Sequence, residues 1–320
     1  MVSFRPLDPE RDLPALAALL NLTATLPVTP DLLAEWRRRA DPARLRQQIV
    51  AADEADQPVG IGDCVRDPWM PAGQFWLDVV VQPEYRGQGI GAQLYDACEA
   101  WARSSGALYV GGDVRDDQPE GLRFAGGRGF KQVQHTAEHQ LELAAFGFAT
   151  FAPLIARLKS EGFEFLSYQE AGDTRDHRKA IYKLHKRVIL DDPTFTGAHL
   201  PFAEYSKRIF EAPWARADEL LIAARGADWV GFTQLADFPD SSTVVSTYTG
   251  VQEPQRERGL ATALGALALA HAQTRGVRLA RLTVDLRDKP LGALAARLGF
   301  SASPGSRRLV KALGERSAEG

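Results

Sequence analysis

The sequence has few cysteines, little net charge and no long apolar run. Cys64 and Cys98 are the two cysteines among 320 residues, too few for a disulfide framework, and no CxxC or Cys/His cluster indicates a zinc site. We therefore expect two buried thiols in a reducing compartment. The net charge of −3, from 38 basic and 41 acidic residues, gives no global attraction to nucleic acid or anionic membranes.

Targeting and membrane signals are also missing from the sequence. The first residues lack a basic segment followed by an apolar one, and no apolar stretch reaches the roughly 20 residues of a bilayer span. The longest apolar helix expected, Leu260 to Ala272, indicates a core helix instead. We therefore expect a cytoplasmic protein, a monomer or a homodimer, without nucleic-acid or membrane partners.

The chain repeats itself with an offset of 170 residues. The segment Val81 to Gly91 resembles Val251 to Ala261, and Gly129-Phe130 matches Gly299-Phe300 in the same register. Solenoid repeats have periods of roughly 20–50 residues, so this repeat is the duplication of a whole domain. At roughly 150 residues per domain, the length agrees. We place the two domains at residues 1–146 and 147–320.

Each half has predicted strands and helices arranged around one strand–turn–helix unit. In the first half the strongest strand is Phe75 to Val81, and a helix follows the turn at Gln88 to Gly91. In the second half the strand Thr243 to Thr249 precedes the helix that begins at Leu260. This order predicts a three-layer α/β fold in each half.

Both turns read Arg-x-x-Gly-x-Gly/Ala. Small residues let the backbone approach a ligand closely, and the start of the following helix offers free N–H groups and a partial positive charge, which suits a pyrophosphate. A single turn of this kind also occurs for packing reasons. A Rossmann turn is the nearest competitor, but its Gly-x-Gly-x-x-Gly follows the first strand. The recurrence after several strands in both halves favours a different phosphate site.

These motifs resemble those of the GNAT superfamily of N-acetyltransferases, and the duplication is similar to that of its tandem members. The resemblance implies two tandem GNAT acyl-CoA N-acyltransferase folds of the α/β class, each with a mixed (α+β type), partly split sheet and with acetyl-CoA between its fourth and fifth strands. It implies an acetyl-CoA-dependent N-acetyltransferase that passes the acetyl group directly to an amine of a small molecule or peptide. The alternative is a tandem GNAT protein with one or both domains non-catalytic, acting as an acyl-CoA-binding or structural module.

The resemblance also implies which residues contact acetyl-CoA, and it implies no metal. In the first copy, strand residues pair with pantetheine, the turn holds the pyrophosphate and one carboxylate lies nearby: Val79, Val80, Val81, Arg86, Gly87, Gln88, Gly89, Ile90, Gly91 and Asp117. In the second copy the corresponding strand and turn residues are Thr249, Gly250, Val251, Arg256, Glu257, Arg258, Gly259, Leu260 and Ala261.

Asp78 is the candidate general base, because it is a charged residue within an apolar strand and an amine must be neutral to accept an acetyl group. An exposed strand face or a structural ion pair remains the alternative interpretation. Tyr248 occupies the corresponding place in the second half, where packing is favoured. Ala125 and Ala295 stand where many family members have a tyrosine acid, so the general acid is not identified. Asp78 and the fuller glycine motif favour the first half as the better-formed site.

Overall fold

The computed structural model describes residues 2–190, 195, 199–238 and 242–314. The chain divides into two compact units. The first extends from the N-terminal residues to His135 and resumes at Ser306, and the second is Thr136–Gly305. The boundary expected between residues 146 and 147 concerns the duplicated sequences and stays a prediction.

Among its described residues, the first unit contains four helices, five whole strands and parts of two more. The helices are α1 (Leu13–Leu20), α2 (Pro30–Arg38), α3 (Ile90–Ser104) and α4 (Pro119–Gly127). The strands are β1 (Ser3–Pro6), β2 (Leu45–Ala52), β3 (Pro58–Arg66), β4 (Gln74–Val81), β5 (Tyr109–Arg115) and the start of β6 (Lys131–Glu142).

The sheet of the first unit is mixed and covered on both faces. Strands β1 to β4 pair antiparallel in chain order, and β4 pairs parallel with β5. Alternating residues of β4 face opposite sides, so Phe75 and Leu77 pack with Tyr95 of α3 while Val80 packs with Leu16 of α1. A parallel pair needs a crossover, and α3 supplies it.

The second unit repeats this plan. Its helices are α5 (Ala152–Ser160), α6 (Tyr168–Ala171), α7 (Arg175–Leu190), α8 (Phe202–Ile209), α9 (Leu260–Thr274) and α10 (Lys289–Leu298). Its strands are β7 (Phe163–Ser167), β8 (Leu220–Arg225), β9 (Asp228–Phe238), β10 (Thr243–Val251), β11 (Leu279–Asp285) and the start of β12 (Ser301–Ala312).

The second sheet is also mixed. Strands β7 to β10 pair antiparallel in chain order, and β10 pairs parallel with β11. The apolar segment that begins at Leu260 forms α9, whose side chains Leu264 and Leu269 are buried against the sheet. The predicted α/β fold with a mixed sheet is thus confirmed in each unit.

Two long strands each begin in one unit and end in the other. Residues Thr136–Glu142 of β6 pair antiparallel with β11 in the second unit. Residues Ser306–Ala312 of β12 pair antiparallel with β5 in the first unit. Each unit therefore completes its sheet with a strand segment that the other half of the sequence supplies.

Two further features of the structure concern the cysteines and the length of the apolar helices. Cys64 and Cys98 are both free and fully buried, as expected for inert core thiols. Burial raises the pKa of each thiol, so both stay protonated at neutral pH. No helix in the described part of the chain is long and apolar enough to cross a bilayer.

The close packing of β12 on β6 predicts a severe effect for Gly305→Ala. A Cβ at Gly305 would lie 1.7 Å from the carbonyl oxygen of Thr136, so a strand must move. We expect a loss of unfolding free energy of about 1–3 kcal/mol or more in urea denaturation. Gly126→Ala is the control, because its Cβ meets no atom within 4 Å and alanine favours the helix. Equal stability of both variants would contradict the prediction.

Candidate active site

A β-bulge interrupts β10 in the second unit. Ser246 pairs with Leu235 and Tyr248 pairs with Gln234, so Thr247 is the extra residue on β10. The Thr247 hydroxyl donates to the carbonyl oxygen of Gln234 at 3.2 Å, and Gln234 Nε2 donates to the carbonyl of Ile209 at 2.8 Å. These bonds hold the bulge, which bends the strand and changes where its next side chains point.

The bulge coincides with the point where β10 leaves β11. In the part of the chain that the structure describes, the parallel pairing extends from Thr243–Leu279 to Ser246–Leu282 and no further. A cleft of about 740 Å³ opens beyond it. The predicted residues that line this cleft are Thr249, Gly250, Val251, Arg256, Glu257, Gly259, Leu260 and Ala261. The fourth and fifth strands thus separate where the sequence places acetyl-CoA.

The turn after β10 forms one end of the cleft. Arg256 Nε donates to the carbonyl oxygen of Val251 at 3.2 Å and closes the turn on the strand. Gly259 is the N-cap of α9 with φ +92°, and a Cβ there would also lie 2.8 Å from Leu154. Because the first N–H groups of a helix have no intrahelical partner, α9 presents donors and a partial positive charge to the cleft.

Glu257 adopts a backbone conformation that favours glycine. Its φ is +65°, whereas the equivalent Gly87 of the first unit has φ +75°. A non-glycine residue in this region costs roughly 1–2 kcal/mol. The second unit therefore keeps the shape of the turn at a cost in stability, as sites that bind ligands often do.

Polar side chains that the motif did not indicate also line the cleft. Arg297 of α10 donates to the hydroxyl of Thr262 at 3.0 Å, and both residues line the cleft. The side chain of Asp288 caps α10 by accepting from the N–H of Leu291 at 2.9 Å. In contrast, the predicted Arg258 is not among the lining residues, and its Nη1 lies 3.5 Å from Glu161.

The first unit has the same turn. Arg86 Nε donates to the carbonyl oxygen of Val81 at 3.0 Å, as Arg256 does with Val251. Gly87 and Gly89 both have positive φ, and Gly89 is the N-cap of α3. The predicted Gln88, Ile90 and Gly91 continue this turn into the helix, so all of the first-copy turn residues lie together at the end of β4.

The strand before this turn differs between the two units. Strand β4 pairs with β3 from Trp76 to Val81 without a register shift, so it has no bulge at the level of Asp78. Beyond its last pair with β5, a Cβ on Gly112 would lie 2.6 Å from the Leu77 carbonyl oxygen. The parallel pairing of β4 with β5 ends at Trp76 and Gly111, at the equivalent place to Ser246 in β10, but here no bulge accompanies the end of pairing.

Asp78 lies in a cluster of charged side chains on β2, β3 and β5. It is the cross-strand neighbour of Asp63, which accepts from Arg46 Nε at 2.9 Å and from Gln48 Nε2 at 2.9 Å. Burial and the nearby carboxylates of Asp63 and Asp113 raise the pKa of Asp78 to about 7, although Arg46 opposes them. A carboxylate with this pKa can exchange a proton at neutral pH.

Asp117 lies at the surface, whereas Ala125 and Ala295 lie in the interior. Asp117 is exposed and forms a bidentate pair with Arg115, whose hydrogen bond lowers the pKa of the carboxyl. Ala125 and Ala295 are buried on α4 and α10. Neither alanine can donate a proton, so the general acid found in many family members has no equivalent at these positions.

The sequence analysis missed the bulge at Thr247 and the cleft residues Val188 and Arg297. The alternation of β10 gave no sign of an extra residue, because Thr, Ser and Tyr suit both faces of a strand. The extra residue shows as a one-residue shift when the pairs of β3 with β4 are compared with those of β9 with β10. This comparison requires the strand pairing, which no local sequence pattern contains.

Comparison with known proteins identifies the family. The family model described as "Acetyltransferase (GNAT) family" matches residues 14–130 and 187–300. One matched region lies in each half, and together they make up more than half of the chain. The chain therefore belongs to this family, and it is an N-acetyltransferase with two tandem GNAT domains, as the sequence predicted. Enzymes of this family generally use acetyl-CoA and act on amines of small molecules or peptides.

Individual relatives agree with the tandem arrangement. A mycothiol acetyltransferase of Thermobispora bispora is 27% identical over 232 residues, 70% of this chain and 72% of its own. The fold matches a GCN5-related N-acetyltransferase from Sphaerobacter thermophilus with a TM-score of 0.75 at 18% identity, over 98% and 96% of the two chains. It matches a tandem GNAT protein from the clavulanic acid biosynthesis pathway with a TM-score of 0.76 at 17% identity, over 99% and 100%.

The raised pKa of Asp78 predicts that Asp78→Asn stabilises the protein increasingly as the pH rises. An unfolded Asp has a pKa near 3.9, so between pH 4 and pH 7 the folded wild type binds more protons and loses stability with rising pH. Asparagine has no such loss. We expect the gain of the variant to grow over this range, to at most about 4 kcal/mol, in urea denaturation.

Asp117→Asn is the control with the opposite sign. Its pKa is lowered, so its small contribution to stability is present above about pH 4 and is lost as the pH falls below the unfolded value of about 3.9. A difference between wild type and Asp78→Asn that does not change with pH would contradict the prediction.

Proposed function

We propose that the second unit transfers the acetyl group of acetyl-CoA to a primary amine of a small molecule or peptide. The observation that carries this proposal is the cleft of about 740 Å³ between β10 and β11, which the bulge at Thr247 opens. The turn with Arg256 and the start of α9 form one end of this cleft. The geometry thus favours the second unit, whereas the glycine motif had favoured the first.

The residues present fit acetyl-CoA. The N–H groups at the start of α9 and the guanidinium groups of Arg256 and Arg297 suit a pyrophosphate and a further phosphate. Past Ser246, the edge of β10 offers main-chain groups that β11 does not pair, which suits the amides of pantetheine. Acetyl-CoA, when bound, would supply the acetyl group as a thioester. The chain's own contribution would be to hold the cofactor through the Arg256 turn, the start of α9 and the unpaired edge of β10.

The first unit is a second candidate site, and Asp78 is the observation that favours it. The turn from Arg86 to Gly91 has the same backbone shape as in the second unit. A carboxyl group with a pKa of about 7 is suited to accept a proton from an amine. In this alternative, Val79 to Val81 and Asp117 take the roles expected from the sequence.

Charge reversal at the two turns distinguishes the units. We expect Arg256→Glu to weaken the binding of acetyl-CoA by about 10–100-fold in calorimetry, because one charge-assisted contact to a phosphate is worth about 1.5–3 kcal/mol. Arg278→Glu is the control, since it makes the same charge change at an exposed residue that does not line the cleft. Loss of binding in Arg86→Glu, with normal binding in Arg256→Glu, would assign the site to the first unit.

Transfer itself is tested by the release of CoA thiol with a panel of amines. The panel contains glucosamine, lysine, spermidine and a peptide with a free N-terminal alanine. We expect turnover with at least one of these that Arg256→Glu lowers. Acetyl-CoA binding with no turnover on any amine would favour the alternative of a non-catalytic acyl-CoA-binding protein.

A further inference from the structure

A buried layer of imidazole and phenol side chains lies beside the cleft of the second unit. His185 of α7 and His199, which precedes α8, lie with Nδ1 and Nε2 2.9 Å apart. The ring of Tyr205 of α8 is 5.1 Å from that of His185 and 5.9 Å from that of His199. Tyr248 of β10 packs against His185 at 4.4 Å. The proposed function has so far given this layer no role.

The face of α7 that carries His185 is the face that reaches the cleft. Val188 lies three residues further along α7, on the same side of the helix, and it lines the cleft together with Tyr248. A Cβ on Gly250 would lie 2.7 Å from Val188 and 2.8 Å from the Tyr248 hydroxyl. The His185 ring therefore stands one helical turn from the cleft wall, at the end where Thr247 bulges.

The hydrogen bonds determine where each imidazole carries its proton. His199 Nδ1 lies 3.1 Å from the carbonyl oxygen of Leu200, which can only accept, so Nδ1 carries the proton of His199. Burial lowers the pKa of His185 to about 4 and also lowers that of His199, so both rings are neutral at pH 7. His199 Nε2 then accepts from Nδ1–H of His185, which leaves a lone pair on His185 Nε2.

A second observation points to a ligand at this layer. Tyr205 is only 2% exposed, yet its buried hydroxyl has no hydrogen-bond partner among the residues that the structure describes. Leaving such a group unpaired in the interior is unfavourable, because its bonds to water are lost without replacement. A polar ligand atom that enters beside the His185 ring would remove this cost.

The other neighbours of His185 do not bring a formal charge into the layer at neutral pH. Tyr182 comes from α7, Tyr205 from α8 and Tyr248 from β10, and Phe232 of β9 stacks on Tyr248 at 5.0 Å. Burial raises the pKa of Tyr205 far above neutrality. The pKa of His199 is lowered mainly by burial, which the hydrogen bond to the Leu200 carbonyl opposes. The positive charge of Lys186, the next residue after His185, lowers it further. The imidazoles are thus neutral at pH 7, and Nε2 of His185 carries the lone pair that the bond between the two rings does not use.

We propose that Nε2 of His185 accepts the proton of the acceptor amine in the second unit, and that His199 is a positioning residue that keeps this nitrogen unprotonated. This inference rests on the proposed function. Transfer forms a C–N bond and breaks the C–S bond of the thioester, whose electron pair leaves on the sulfur of CoA. The proton released by the nitrogen goes to His185 Nε2 and then to water, and the thiolate takes a proton from water.

The tautomer is tested without any activity measurement. In the full chain labelled with ¹⁵N-histidine, long-range ¹H–¹⁵N spectra should show His185 at pH 7 as the neutral form protonated at Nδ1. His199→Phe should convert it to a mixture in which Nε2 is also protonated, because the acceptor for Nδ1–H is lost. A wild-type His185 protonated at Nε2 would overturn the proposal.

Kinetics with the best amine of the panel test the proton transfer. We expect His185→Gln to lower kcat about 100-fold or more, as for the loss of a general base, with acetyl-CoA affinity within twofold of wild type. His199→Asn keeps an oxygen that can accept from Nδ1–H, so its kcat should exceed that of His199→Phe. His271→Gln is the control, because His271 pairs with Asp218 elsewhere in the unit.

The outcomes separate this inference from the proposed function. Normal acetyl-CoA binding with kcat of His185→Gln within threefold of wild type would overturn the role of His185 and leave the site of acetyl transfer intact. Absence of acetyl-CoA binding or of turnover in the wild type would overturn the proposed function, and this inference with it. Equal kcat in His199→Asn and His199→Phe would overturn the positioning role of His199.

Discussion

The end of strand pairing between β10 and β11 is the constraint on which the functional architecture depends. Main-chain groups inside a protein need partners, so two neighbouring strands separate only where something else can occupy the gap. At this point β10 also carries one extra residue, Thr247, which Gln234 holds, and a bulge of this kind bends a strand. The cleft lies beyond this point, with the Arg256 turn at one end and Val188 of α7 on its wall.

The two units keep the same turn but differ in the strand that precedes it. Both turns close on their strands through the same arginine–carbonyl bond, and both place a left-handed glycine before the helix. The first unit has no bulge in β4, and Leu77 lies against Gly112. Its charged cluster around Asp78 occupies the sheet face where the second unit has Gln234 and Tyr248. The same turn therefore follows two strands of different geometry and charge.

The charged and polar groups around Asp78 and around His185 also differ. Asp78 lies among carboxylates and arginines, so its protonation is governed by burial and by opposing charges. His185 lies among phenols and a second imidazole, so burial first and then His199 lower its pKa and keep it neutral, and hydrogen bonds determine its tautomer. The first environment suits a stable ion-pair network, whereas the second presents a neutral lone pair next to an open cleft.

The sequence by itself determined the duplication, the α/β fold, the family and the turns around Arg86 and Arg256, because these rest on local spacing. Glycines that must adopt positive φ and apolar runs that must be buried leave a pattern in the chain. Only the tertiary structure decided where the cleft of the second unit lies and which strand carries the bulge, because both depend on register between distant segments. It also brought His185 and His199 together beside Tyr248, since no local pattern records which side chains meet across helices and strands.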